Sequence, residues 1–171
     1  MTPLGVFENE IVTKWFNDNA SKLITDATNE ENGLTKCESP IEEVMYLALL
    51  NLFQYYQTFQ SRFYVEVICQ EPVTRKKNSY RTDIWIHVHD MNTVLLGPDQ
   101  YKMYKFAVEC DGHEFHEKTK EQVRSDRFRE RCLMKEGYTV VRFAGSEIFD
   151  DAQKCALEVW EIIEKRVNQS A

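Results

Sequence analysis

No stretch of this 171-residue chain approaches the roughly 18–20 consecutive apolar residues of a membrane span, so a transmembrane helix is not expected. No two cysteines form a CxxC knuckle. The five present, Cys37, Cys69, Cys110, Cys132 and Cys155, are odd in number, widely spaced and mostly set among apolar neighbours, as reduced core thiols are. Positive charge is also short. With 21 Lys and Arg against 28 Asp and Glu, the formal net charge is −7, which argues against tight nonspecific adhesion to nucleic acid, where phosphate neutralisation dominates affinity. It leaves room for a local basic surface around an acidic site. Internal repeats, low-complexity segments and the basic-then-apolar start of a signal peptide are lacking, so a cytoplasmic location is the expectation.

What is present, 43% hydrophobic and 29% charged residues, is the composition of a soluble globular protein, and the length suits one domain that needs no disulfides. Residues 8–24 offer an apolar face through Ile11, Val12, Trp15, Phe16 and Leu23. They suggest a helical extension, 1–36, packed on a main domain, 37–171. That helix could serve the core, a homodimer surface or a protein partner. The plainest helix start follows: Ser39 can cap, Pro40 fits the first helical position, and Glu42 stands three residues beyond the cap.

Apolar spacing carries that helix to about residue 57. Strands are expected at 64–69, 81–89 and 101–111, with a hairpin loop at 72–80 and a turn at 91–100. A charged helix over 117–136, closed by Gly137, then a strand at 138–143 and a helix at 148–167 complete an α, α, β, β, β, α, β, α order. The last strand–helix–strand unit suggests a parallel pair with a right-handed crossover.

The most informative stretch is Phe106-Ala107-Val108-Glu109-Cys110-Asp111-Gly112-His113. It reads as a buried strand whose period-2 alternation puts Glu109 and Asp111 on one face, with Val108 and Cys110 on the other. Two such acids repel unless a cation sits between them, and a hard divalent ion is the simplest candidate. If the strands at 81–89 and 101–111 are antiparallel neighbours, Asp83 joins them. Such a cluster can hold ions that polarise a phosphodiester and turn bound water into hydroxide.

In order, Ser39-Pro40-Ile41-Glu42, Arg81-x-Asp83, Val108-Glu109-Cys110-Asp111-Gly112 and His116 resemble the PD-(D/E)XK nuclease superfamily. Asp126-x-x-Arg129-Glu130-x-x-Leu133 and Gly137-Tyr138-x-Val140-x-Arg142-Phe143 narrow the likeness to the branch of the very-short-patch-repair endonucleases. The resemblance spans 38–150 and implies an α/β fold, a restriction-endonuclease-like mixed β-sheet flanked by helices. It also implies endonucleolytic hydrolysis of DNA with Mg²⁺ or Mn²⁺. Asp83, Glu109, Asp111 and Glu42 would form the metal and catalytic set, aided by His116 or Lys118. One departure is that Asp111 stands where much of the superfamily has lysine. The alternative is therefore a catalytically inactive member that binds nucleic acid or protein.

Each feature also has a simpler structural reading. Glu42 is what a capping box requires, and Asp83 can merely end a loop. The helix with Lys118, Lys120 and Arg124 also carries Glu117, Glu121, Asp126 and Glu130, as solvated helices laced with ion pairs do. Lys120, Arg124 and the loop residues Arg75, Lys76 and Lys77 are the expected nucleic-acid contacts. A zinc site built from Cys110, His87 or His89, His113 and His116 is a remoter alternative.

Overall fold

The computed structural model describes residues 33–59, 62–70, 72–75, 78–112 and 119–169. The expected helix at 8–24 lies outside them. A 3-10 turn at Leu34–Lys36 leads into α1 (Pro40–Phe59). The Ser39 hydroxyl accepts from the Glu42 N–H at 3.3 Å, and the Glu42 carboxylate returns to the Ser39 hydroxyl and the Glu38 N–H at 2.9 and 2.8 Å. The capping box is thus built as read, except that its return arm reaches one residue further back.

The strands are β1 (Phe63–Cys69), β2 (Pro72–Arg75), β3 (Asn78–Arg81), β4 (Ile84–Asp90), β5 (Met103–Asp111) and β6 (Tyr138–Ala144). Between the last two runs α2 (Lys120–Lys135), and α3 (Gly145–Asn168) closes the order. The main sheet is ordered β1-β4-β5-β6, with β1, β4 and β5 antiparallel and β5 parallel to β6. The domain is therefore α/β, a mixed four-stranded sheet flanked by helices.

Alternation sorts the two faces. Val65, Val67, Ile84, Ile86, Val88, Phe106, Val108 and Phe143 pack into the main core with Met45, Leu49 and Phe53 of α1 and Ala156, Val159, Trp160 and Ile163 of α3. On the other face Ala107, Tyr138, Trp85 and Val140 meet Leu133 of α2. This second contact is small, so much of that face stays free for polar side chains.

Three segments depart from expectation. The hairpin loop at 72–80 holds a separate two-stranded sheet, β2 paired antiparallel with β3. The turn at 91–100 contains a 3-10 helix, Met91–Leu96, fastened by buried Asp90. That residue accepts from the Asn92 N–H at 3.1 Å and from Arg62 at 2.9 Å. The last helix begins earlier and kinks at Asp151 (φ −160°, ψ 83°), whose carboxylate caps the Lys154 N–H at 2.9 Å. An Asp inside a helical run can re-cap the chain, and that choice is invisible to apolar periodicity. Gly137 closes α2 with φ 88°, as a left-handed cap requires. Among the described residues no helix is long and apolar enough to cross a membrane.

Gly145, buried at the junction of β6 and α3, touches the end of β5. A Cβ there would lie 3.1 Å from the Asp111 carbonyl oxygen and 3.5 Å from Gly112 Cα, both backbone atoms that cannot turn aside. Gly145→Ala is therefore expected to lower Tm by on the order of 5 °C. Ser146→Ala, at the exposed neighbour, leaves it unchanged. Thermal unfolding of both variants checks this, and equal Tm values would refute the tight approach.

Candidate active site

Register explains how the acids meet. Ile84 pairs with Val108, so Asp83 lies beside the two residues that follow Val108, and its Oδ2 accepts the Cys110 N–H at 2.7 Å. On β5, Glu109 and Asp111 share the face that α2 partly covers, where Arg142 of β6 stands opposite Glu109. Glu42 approaches from the first turn of α1. Its negative charge acts on Asp83, as does that of Asp111. The four acids read from the sequence are therefore neighbours.

Two arginines supply part of the cationic charge that these acids need. Arg142 grips Asp111 in a fork, Nε to Oδ2 at 3.0 Å and Nη2 to Oδ1 at 2.6 Å, the geometry in which guanidinium and carboxylate bind best. Arg129 of α2 donates one Nη to Glu109 Oε2 and the other to the Arg81 carbonyl at 3.2 Å. Both belong to the sequence pattern quoted above, yet neither is among its site residues. Their signal was an arginine three residues after Asp126 and another within the strand β6. Only the folded register shows which acid each one meets.

Neutralisation is incomplete. Glu109 is 1% exposed, and its Oε1 is buried with no hydrogen-bond partner among the described residues. Such an atom is costly unless something charged faces it. Burial, followed by the charge of Asp83, pushes the Glu109 carboxyl up to about 7, against the pull of Arg129 and Arg142. Burial pushes Asp83 up to about 6 despite the Cys110 N–H that favours its ionised form. An orphaned carboxylate oxygen next to a second carboxyl held above its usual range fits an oxygen-ligated divalent cation, for which Glu109 and Asp83 would be the inner ligands.

Glu42 is 7% exposed and more fully satisfied, since Gln70 Nε2 donates to its Oε2 at 2.8 Å beside the Glu38 and Ser39 bonds. Gln70, which has positive φ (54°) after the end of β1, had no sequence signal because it lies 28 residues from its partner. Lys120 and Arg124 are exposed at the start of α2. Arg75 ends β2 at the hairpin turn, with its side chain outside the described residues, as are Lys76, Lys77, His113, His116 and Lys118.

The zinc reading with Cys110 fails on geometry. His87 pairs with Lys105, five residues back along β5, so roughly 16 Å of strand separates it from Cys110, which points to the other face. Burial also pushes the Cys110 thiol up, away from thiolate. The Cys37 and Cys69 sulfurs lie 3.1 Å apart; that contact, together with burial, raises Cys69 as well.

The raised carboxyls set a pH dependence. A group whose folded pKa exceeds its unfolded one favours the folded state at low pH, and loses that advantage as pH rises between the two values. For Glu109 the window runs from 4.5 to about 7. In metal-free protein, Glu109→Gln should therefore gain stability relative to wild type as pH rises from 4.5 to 8, by on the order of 2 kcal/mol. Denaturant titrations at several pH values measure it, and a flat difference would overturn the assignment.

Comparison with known proteins adds a family. A model of REase_MTES_1575, a restriction endonuclease-like family, matches residues 63–163, which include Asp83, Glu109, Asp111, Arg129 and Arg142. No curated protein and no solved structure matches. The match covers more than half of the chain and runs through every strand of the main sheet, so the chain belongs to the restriction endonuclease-like family REase_MTES_1575.

Proposed function

We propose that this protein is an endonuclease that hydrolyses phosphodiester bonds in DNA with Mg²⁺ or Mn²⁺. The observation that carries the reading is the buried Oε1 of Glu109 beside Asp83, without a partner among the described residues. Charge balance agrees with it. Among the described residues, the carboxylates of Glu42, Asp83, Glu109 and Asp111 and the guanidiniums of Arg129 and Arg142 leave two negative charges when all are ionised. One divalent cation matches that remainder. When bound, it would polarise the phosphodiester and lower the pKa of a coordinated water.

The chain's own residues then divide the work. Asp83 and Glu109 hold the cation, and Glu42, braced by Gln70, sets the negative field behind Asp83. Asp111 completes the cluster and orients Arg142, whose guanidinium it holds charged. Arg142 and Arg129 thus bring to the site the positive charge that a lysine at position 111 brings in much of the superfamily. Each is placed by a carboxylate to meet charge developing on a phosphate. His116 or Lys118 is the proposed proton-handling group. Exposed Lys120 and Arg124, with Arg75, Lys76 and Lys77 at the hairpin, are the proposed backbone contacts. The likeness to the very-short-patch-repair branch rests on the sequence from Asp126 to Phe143, and favours DNA as the substrate.

A second reading is supported by the same arginines. Because Arg142 occupies both oxygens of Asp111 and Arg129 one of Glu109, the protein could be a silent nuclease-fold module that binds nucleic acid or protein. The two readings part on metal binding and cleavage.

A panel of single- and double-stranded DNA and RNA, incubated with Mg²⁺ or Mn²⁺, is expected to show cleavage that falls at least about 100-fold in Asp83→Asn and Glu109→Gln with folding intact. Cleavage that survives both substitutions would sink the nuclease reading. Absence of both cleavage and calorimetric Mg²⁺ binding in wild type would establish the silent module. Glu42→Gln separates two roles: an activity loss of 10-fold or more at unchanged Tm makes it part of the metal field, whereas a Tm loss of a few degrees at unchanged activity leaves it a cap alone.

A further inference from the structure

The same sheet face carries a second polar group at its other end. Glu66 on β1 lies opposite His87 on β4, and His89 is two residues further along β4, so alternation turns all three to one side. Glu66 Oε2 stands 3.5 Å from His87 Nδ1 and 3.2 Å from His89 Nε2, and one donor atom from each residue lies within 4.8 Å of the others. A tetrahedral zinc ion with bonds of about 2.0–2.1 Å holds its ligand atoms about 3.3–3.4 Å apart. The two separations, 3.5 and 3.2 Å, straddle that value.

The surroundings have the pattern of an outer shell. His89 binds the Tyr101 hydroxyl through Nδ1, the nitrogen not aimed at Glu66, as a ligating imidazole is usually oriented through its second nitrogen. His87 packs against Trp85 at 4.2 Å between ring centres, and among the described residues its buried Nε2 has no partner, so its polar contact there is made through Nδ1. Lys105, opposite His87 in register, places its ammonium over the Tyr138 ring at 5.5 Å rather than on Glu66. Glu66 is 38% exposed, against 13% for His87 and 16% for His89, so the group opens to solvent on the carboxylate side.

We infer that Glu66, His87 and His89 form a site for a borderline divalent transition ion, Zn²⁺ by preference, distinct from the acidic cluster. Two imidazoles and one carboxylate suit zinc rather than Mg²⁺, which takes oxygen ligands. A fourth position faces water. The Trp85–Tyr138 stack, 5.3 Å between ring centres, lies between this group and Glu109 and lets each site load independently. The inference does not depend on the nuclease reading.

The test uses the full chain stripped with EDTA and titrated with ZnCl₂ by calorimetry, with Co²⁺ absorption as a second probe. One equivalent of Zn²⁺ is expected to be lost in His87→Ala and in His89→Gln, to weaken by about 100-fold in Glu66→Gln, and by about 10-fold in Tyr101→Phe. It is expected to persist in Asp83→Asn with Glu109→Gln, which separates its fate from that of the proposed nuclease centre. The partly exposed Glu66 and His89 variants carry the test if His87→Ala does not fold. No saturable Zn²⁺ binding in wild type, a zinc equivalent that survives His89→Gln and Glu66→Gln, or one that disappears in the acidic variants would each overturn the site.

Discussion

Glu109 places a carboxyl group at the closed end of the central strand pair, where water cannot reach it and where ionisation is costly. Most of the local architecture answers to that cost. Arg129 is brought in from α2, Arg142 from β6, and the Arg81 carbonyl holds Arg129 in place. Even so, among the described residues one oxygen remains without a partner, and the carboxyl stays well above its ordinary range. A fold selected for stability alone could place an apolar residue there, since buried ion pairs rarely repay their desolvation. The retained strain is what a proposed metal ligand requires: a site charged enough to attract a cation and dry enough to hold it strongly.

The topology makes this placement economical. Antiparallel β4 and β5 set the start of one strand beside the end of the other, so one hydrogen bond, from the Cys110 N–H to the Asp83 carboxylate, ties Asp83 to the strand that carries Glu109. Parallel β6 then returns to β5 in the register that brings Arg142 opposite Glu109. The close approach at Gly145 lets α3 begin against the end of β5 without pushing Asp111 aside. Each contact is local to the ends of the strands, and the main core on the other face bears the packing.

How far the sequence disclosed this depends on the range of the interaction. The cap at Ser39 and Glu42, the alternation in β4 and β5 and the glycine closing α2 are short-range patterns with a direct physical meaning, and each folds nearly as read. The meeting of Asp83 with Glu109 followed from one assumption about strand pairing. Gln70 on Glu42, Arg129 on Glu109 and Arg142 on Asp111 were hidden, because partners 20 to 31 residues apart leave no periodic trace. The β2–β3 hairpin also concealed the register of β1 on β4, and without that register Glu66 has no visible relation to His87.

One sheet face thus carries two chemically different groups at opposite ends. At the β5 terminus the donors are carboxylate oxygens, with guanidiniums as counter-charge. At the β1–β4 end they are imidazole nitrogens and one half-exposed carboxylate. Hard cations prefer the first set and borderline ions the second, so the two proposed sites discriminate by donor atom without needing separate domains. The stacked rings of Trp85 and Tyr138 occupy the space between, and α2 touches this face mainly around them. A helix that covered the whole face would bury more apolar surface and close the Glu66 group to solvent, whereas this one leaves that end open through half-exposed Glu66 while Glu109 at the other end stays buried.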